Sequence, residues 1–121
     1  MRIKIQAGIT EAIAELGQNS TAEAIWNSLP LHGKVSLWGY EIYFKVPLHV
    51  ELEDAQELVK EGDLGFWPTG DAFCIFFGAT PISKKGEIRP ASAVNVFGRI
   101  VGENTIFKQV KTGDNILIER V

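Results

Sequence analysis

Glu87 and Arg89 are the pair in this chain best suited to grip a ligand. They stand two apart, and Pro90 biases the residue before it away from helix, so an extended backbone turns both side chains to one face. A guanidinium held there can clamp a carboxylate or carbonyl ligand through two parallel hydrogen bonds, or it can form a partly exposed ion pair that fixes a loop. Aromatic residues crowd the same part of the chain: Phe66, Trp67, Phe73, Phe76 and Phe77, with Trp38 and Tyr43 upstream. Such a set either packs a core, because strands are rich in aromatics, or lines a pocket in a barrel wall. Tyr43 and Trp67 suit a pocket best, since each has an apolar body and a polar tip, and Asn95 adds an amide near the same strand. The strand pleat limits the set: Phe73, Ile75 and Phe77 share one face and Cys74 and Phe76 the other, so the aromatics cannot all line one pocket.

Other reactive side chains read more simply. His32 and His49 are isolated in the sequence, with no carboxylate or cysteine at metal-ligand spacing, and read as surface or hydrogen-bonded histidines rather than a catalytic base. Cys74 lies between Phe73 and Ile75, where a thiol behaves as a small hydrophobe with a raised pKa. Asp63, Asp71 and Asp114 each follow a glycine and read as turn residues rather than metal ligands. No catalytic residue, metal or cofactor is assigned.

Twelve Lys and Arg against fifteen Asp and Glu give a net charge of −3, which offers no footprint for nucleic acid. The start MRIKIQAGI lacks the apolar stretch of about 7–15 residues of a signal peptide. No run approaches the ~18 apolar residues of a membrane span. A cytoplasmic protein of one domain, residues 1–121, is expected. At 45% hydrophobic and 22% charged it can bury a core without a disulfide, which a single cysteine could not form in any case.

The elements that must carry these side chains are mostly strands. Arg2 to Ala7 alternates with Ile3 and Ile5 on one face, and Ile9 to Leu16, where strand and helix patterns compete, is read as a second strand. Ser20-Thr-Ala-Glu23 has the form of a capping box, with Ala22, Ile25, Trp26 and Leu29 following at helical spacing before Pro30. Gly33 to Phe44 and Val46 to Leu52 carry strand residues broken by Gly39, and Glu53 to Lys60 suggests a short helix. Leu64 to Trp67 and Ala72 to Phe77 form a hairpin around Pro68-Thr-Gly-Asp71, and Phe97 to Val101 and Ile116 to Glu119 are two more strands. Short strands with turns every ~8–12 residues predict a mainly β sandwich or barrel.

Val96-Phe-Gly-Arg-Ile-Val-Gly102, followed by Ile106, Val110 and Lys111, resembles the late strand of cyclophilins and the short apolar helix after it. GDLGFWPTGDAFCIFFG together with EIRPASAVNVFGRI is similar, more specifically, to the compact cyclophilin-like proteins of prokaryotes, over nearly the whole chain. The resemblance implies a small closed β-barrel of about eight strands with one or two short helices. Cyclophilins isomerise Xaa-Pro bonds using an Arg in an F-H-R motif, a Gln in Q-G-G-D, an aromatic pocket and a His before V-F-G. This chain has neither F-H-R nor Q-G-G-D; the His position falls on Val94, the usual Trp position on Arg89, and Lys45 is the nearest match to the Arg. The aromatic strand carries over as Phe73 and Phe76 or Phe77. The resulting expectation is a groove that binds a small molecule or short peptide through Tyr43, Phe66, Trp67, Phe73, Phe76, Glu87, Arg89 and Asn95, without standard isomerase activity. The alternatives are a divergent prolyl isomerase, and an interaction module or homodimer built on exposed aromatics.

Overall fold

Alternation decides the architecture. In the computed structural model, which describes residues 1–121, β1 (Arg2–Ala7) buries Ile3, Ile5 and Ala7, and β2 (Thr10–Leu16) buries every second residue from Thr10 to Leu16. Seven further strands follow: β3 (Leu31–Lys34), β4 (Ser36–Trp38), β5 (Glu41–Lys45), β6 (Asp63–Trp67), β7 (Ala72–Phe76), β8 (Asn95–Val101) and β9 (Asn115–Arg120). All pair antiparallel in the order β3-β9-β1-β2-β8-β6-β7-β5-β4. The sheet thus begins and ends on strands that are neighbours in the chain, separated by Val35 alone. That one connection carries the chain from one sheet edge to the other and brings the edges together into a nearly closed barrel.

Val35 also explains why nine strands appear where about eight are expected. Its backbone bonds turn away from both neighbours to the 111–114 turn, donating to the Asp114 carbonyl and accepting from the Gly113 amide, and this splits residues 31–38 into β3 and β4. At the seam, a Cβ on Gly33 would sit 2.9 Å from Cδ2 of Phe44, so glycine permits β3 and β5 to meet. The interior is filled by one continuous cluster that includes Ile5, Ile42, Phe44, Leu64, Phe66, Phe73, Phe97 and Ile118. Phe73 packs edge-on to Phe97 at 5.1 Å between ring centroids, a favoured aromatic geometry.

Helix α1 (Ser20–Ser28) covers one end of the barrel, and a 3-10 helix at Thr105–Gln109 follows β8. The cap of α1 is Asn19, whose side chain accepts from the Ala22 amide at 2.8 Å, rather than the expected Ser20. Ser20 and Thr21 instead give their amides and hydroxyls to the carboxylate of Glu53, thirty-odd residues away in sequence. These four bonds satisfy orphan donors of the first turn and hold the Glu53 carboxyl down at about 2.

Two expected elements do not form. Val46 to Leu52 is not a strand, because Pro47 removes a ladder donor, and Glu53 to Lys60 is not a helix, because Asp54 adopts a positive φ of 46° and Gln56 and Val59 form extended bridges to Val94 and Ile88. Val46, Leu48 and Val50 pack instead against the barrel core, whereas Val59 and Val94, with Ile88 beside them, cover the outer face of β6 and β7 and bury Ala72, Cys74 and Phe76 in a second, smaller cluster. No helix is long and apolar enough to cross a membrane.

Candidate functional site

The outer face of β5 presents Glu41 and Tyr43, because Ile42 and Phe44 are taken by the barrel interior. Register sets Trp38 of β4 opposite Glu41, and Cys74 of β7 opposite Tyr43. Trp67, at the end of β6, projects to the same side. Its ring is fixed twice: the indole Nε1 donates to Ser92 Oγ at 2.6 Å, and the ring lies so close over Gly70 that a Cβ there would come within 2.5 Å of it. Gly65 does the same for the facing segment, since a Cβ would stand 2.9 Å from Val94 Cγ2. Trp38, Tyr43 and Trp67, with Pro90, Ala91 and Val94 opposite, therefore enclose a cleft of about 220 Å³ on the barrel wall, and Glu41 lies in its lining.

Glu41 is the chemically unusual residue of this cleft. It is only 6% exposed, and its Oε1 has no hydrogen-bond partner. Desolvation raises its carboxyl to about 7, and the neighbouring Cys74 thiol offsets only part of that rise. Cys74 is itself pushed up, by burial first and by Glu41 second, so it is an inert thiol as its sequence position suggests.

The expected site residues divide. Tyr43 and Trp67 line the cleft together. Phe76 is fully buried beneath it, on the outer face of β7. Phe66 and Phe73 are inside the barrel, on the opposite face of the pleat, and pack its core rather than any groove. Asn95 is also fully buried; its amide accepts from the Glu53 N–H at 2.8 Å and donates to the Glu51 carbonyl and Thr21 Oγ1, which ties the 51–53 segment and α1 to β8. With every polar atom engaged, it has none to offer a ligand.

Arg89 and Glu87 do form the ion pair, with Nε to Oε2 at 2.9 Å, and each holds the other's charge: Glu87 is lowered and Arg89 raised. The pair sits in a loop stapled by Thr80 and Ser83, whose side chains bond the Arg89 carbonyl and amide. Arg89 does not line the aromatic cleft but an adjoining pocket that shares Pro90 and Ala91 with it. His49, exposed, is bracketed by Asp71 at 2.6 Å and Glu51 at 3.2 Å, and Asp71 is the main cause of its raised pKa. Asp63 and Asp114 accept from the amides of Lys60 and Lys111, the turn role their sequences predict.

Glu41 and Trp38 were not among the expected site residues. A carboxylate alternating with Ile42 and Phe44 reads as a solvated strand face, and nothing local announces that residues 88–94 will fold over it. The usable signal is weaker: Trp38, Glu41 and Tyr43 flank the Gly39-Tyr40 turn, so a hairpin there brings them to one face.

Comparison with known proteins agrees with this architecture. The solution structure of the hypothetical protein AF2241 from Archaeoglobus fulgidus superposes with a TM-score of 0.83 and 41% sequence identity, over 100% of this chain and 95% of that one. No curated protein matches the chain. A family model described as cyclophilin-like matches residues 1–119. A barrel closed through Val35, and a family match that spans all its strands but the last residue of β9, make this chain a member of the cyclophilin-like family.

Proposed function

We propose that the protein is a binding domain that receives a small molecule or a short peptide segment in the cleft between Trp38, Tyr43 and Trp67. The observation that carries this reading is the cleft itself. Large aromatic side chains held on strands, of which Trp67 is fixed by Gly70 and Ser92, keep apolar surface open where the rest of the aromatic set is buried. Its volume of about 220 Å³ falls below the ~300–1,000 Å³ of sites for drug-sized ligands, which favours a side-chain-sized group over a nucleotide or large cofactor. The motifs that carry standard isomerase chemistry are missing from the sequence, so binding without turnover is the first reading.

A divergent prolyl isomerase is the second reading, and Glu41 favours it. Lowering the ~18–20 kcal/mol amide barrier takes a donor near the twisted imide nitrogen, and a carboxyl with a pKa of about 7 keeps a proton available at neutral pH. One NMR titration addresses both readings. Isotope-labelled protein is titrated with small apolar fragments and short Xaa-Pro peptides, with exchange spectroscopy on the peptides. Saturable shifts at the Trp38 and Trp67 indoles that vanish in Trp67→Ala support the binding domain, and added cis/trans exchange supports the isomerase. Shifts confined to other surfaces, or none, overturn both.

A further inference from the structure

The cleft combines two features that a purely apolar ligand would leave unused. Three aromatic side chains line it together with Glu41, whose buried carboxylate oxygen Oε1 has no hydrogen-bond partner. A buried acceptor without a donor is costly, and a ligand that supplies the donor recovers that cost. Aromatic faces attract cations through the ring quadrupole, and an ionised carboxylate in a low-dielectric wall does so more strongly still.

Resting on the reading of this cleft as a binding site, we propose that its ligand is a side-chain-sized organic ammonium, with the alkyl stem between the indoles and the N–H groups on Glu41. A guanidinium suits the site less well. Its planar fork needs room to lie along both carboxylate oxygens, and a cleft of about 220 Å³ leaves little of it. An ammonium is a point charge and needs one oxygen. The cleft's small volume admits a primary or methylated amine at the end of a short chain, which describes both a free alkylamine and a lysine side chain.

Few other charges face Glu41. On β5 the same face carries Tyr43 and the exposed Lys45; on β7 it carries Cys74, and on β6 Asp63, which is engaged by the Lys60 amide. β4 brings no charged residue, and the 88–94 segment brings only Arg89, which is paired with Glu87. Ionisation of Glu41 therefore dominates how binding depends on pH. With its carboxyl near 7, the ionised fraction at pH 6 is about one-tenth of that at pH 8, so ammonium affinity is about tenfold weaker at pH 6.

The test titrates the protein with n-butylammonium chloride and, separately, with 1-butanol, reading the Trp38 and Trp67 indole resonances at pH 6 and pH 8. The expected result is saturation by n-butylammonium at least tenfold tighter than by 1-butanol at pH 8, with the preference falling about tenfold at pH 6 and lost in Glu41→Gln. The spectrum of Glu41→Gln away from the cleft should be unchanged, which controls for folding. Equal affinities at pH 8, or a preference that survives Glu41→Gln, overturn the ammonium assignment while leaving the cleft a binding site. No indole shift with either probe overturns both. The peptide acetyl-Ala-Lys-Ala-amide then separates the sources: tighter binding than n-butylammonium assigns a lysine side chain, weaker binding a free amine.

Discussion

Glu41 and Glu53 have opposite effects on stability, and their signs follow from their surroundings. Glu41 titrates near 7 in the fold against 4.5 in an unfolded chain, so folding favours its protonated form. Its contribution is whole below about pH 4.5 and is lost as pH rises through about 7. At 6% exposure, that loss amounts to about 3 kcal/mol. Urea denaturation of Glu41→Gln should show little of this decline, so that the variant gains on the wild type between pH 5 and pH 8. Glu53 is lowered to about 2 by the Ser20 and Thr21 donors, so its stabilisation is present above about pH 4.5 and is lost as pH falls towards 2. Glu53→Gln should be destabilised at pH 6 and converge with the wild type at the acid end, as read by thermal unfolding at the two pH values. For ligand affinity, Trp67→Ala should cost about 2 kcal/mol, roughly thirty-fold, by titration with any cleft ligand.

At the scale of elements, the cleft depends on how tightly residues 88–94 lie on β6. A methyl group at Gly65 would stand 2.9 Å from Val94 Cγ2 and 3.2 Å from Phe76 Cε2, both buried, so Gly65→Ala must lift that segment. The expected cost is about 1–3 kcal/mol, with weakened cleft binding, measured by denaturation and by indole shifts. Most strands were legible from alternation: β1, β2 and the β6–β7 hairpin occupy nearly the ranges their patterns predict. The 46–60 region was not. Its strand and helix residues are recruited by tertiary partners, Glu53 by the helix N-terminus and Val59 by Ile88, and these override local propensity. The cleft was half legible for the same reason. Tyr43 and Trp67 announce themselves as aromatics with polar tips, whereas Glu41 acquires its character only when a segment fifty residues away removes its water.

Across the whole molecule, barrel closure divides the aromatic residues into two populations. Phe66, Phe73 and Phe97 face inward and hold the barrel together, so Phe73→Ala should cost about 3–5 kcal/mol in urea denaturation without altering cleft chemistry. Trp38, Tyr43 and Trp67 face outward and line the cleft on the barrel wall. The family resemblance made the barrel readable from sequence, yet it could not divide these two populations, because register across nine strands is a property of the closed sheet. On the proposed reading, the outward cleft is an open ligand site. A crystal structure of the protein soaked with n-butylammonium chloride tests it most directly. Density is expected between the Trp38 and Trp67 rings, with the nitrogen within hydrogen-bond reach of the Glu41 carboxyl; a cleft filled by a collapsed Trp67 ring, with the amine bound elsewhere or absent, would overturn the assignment.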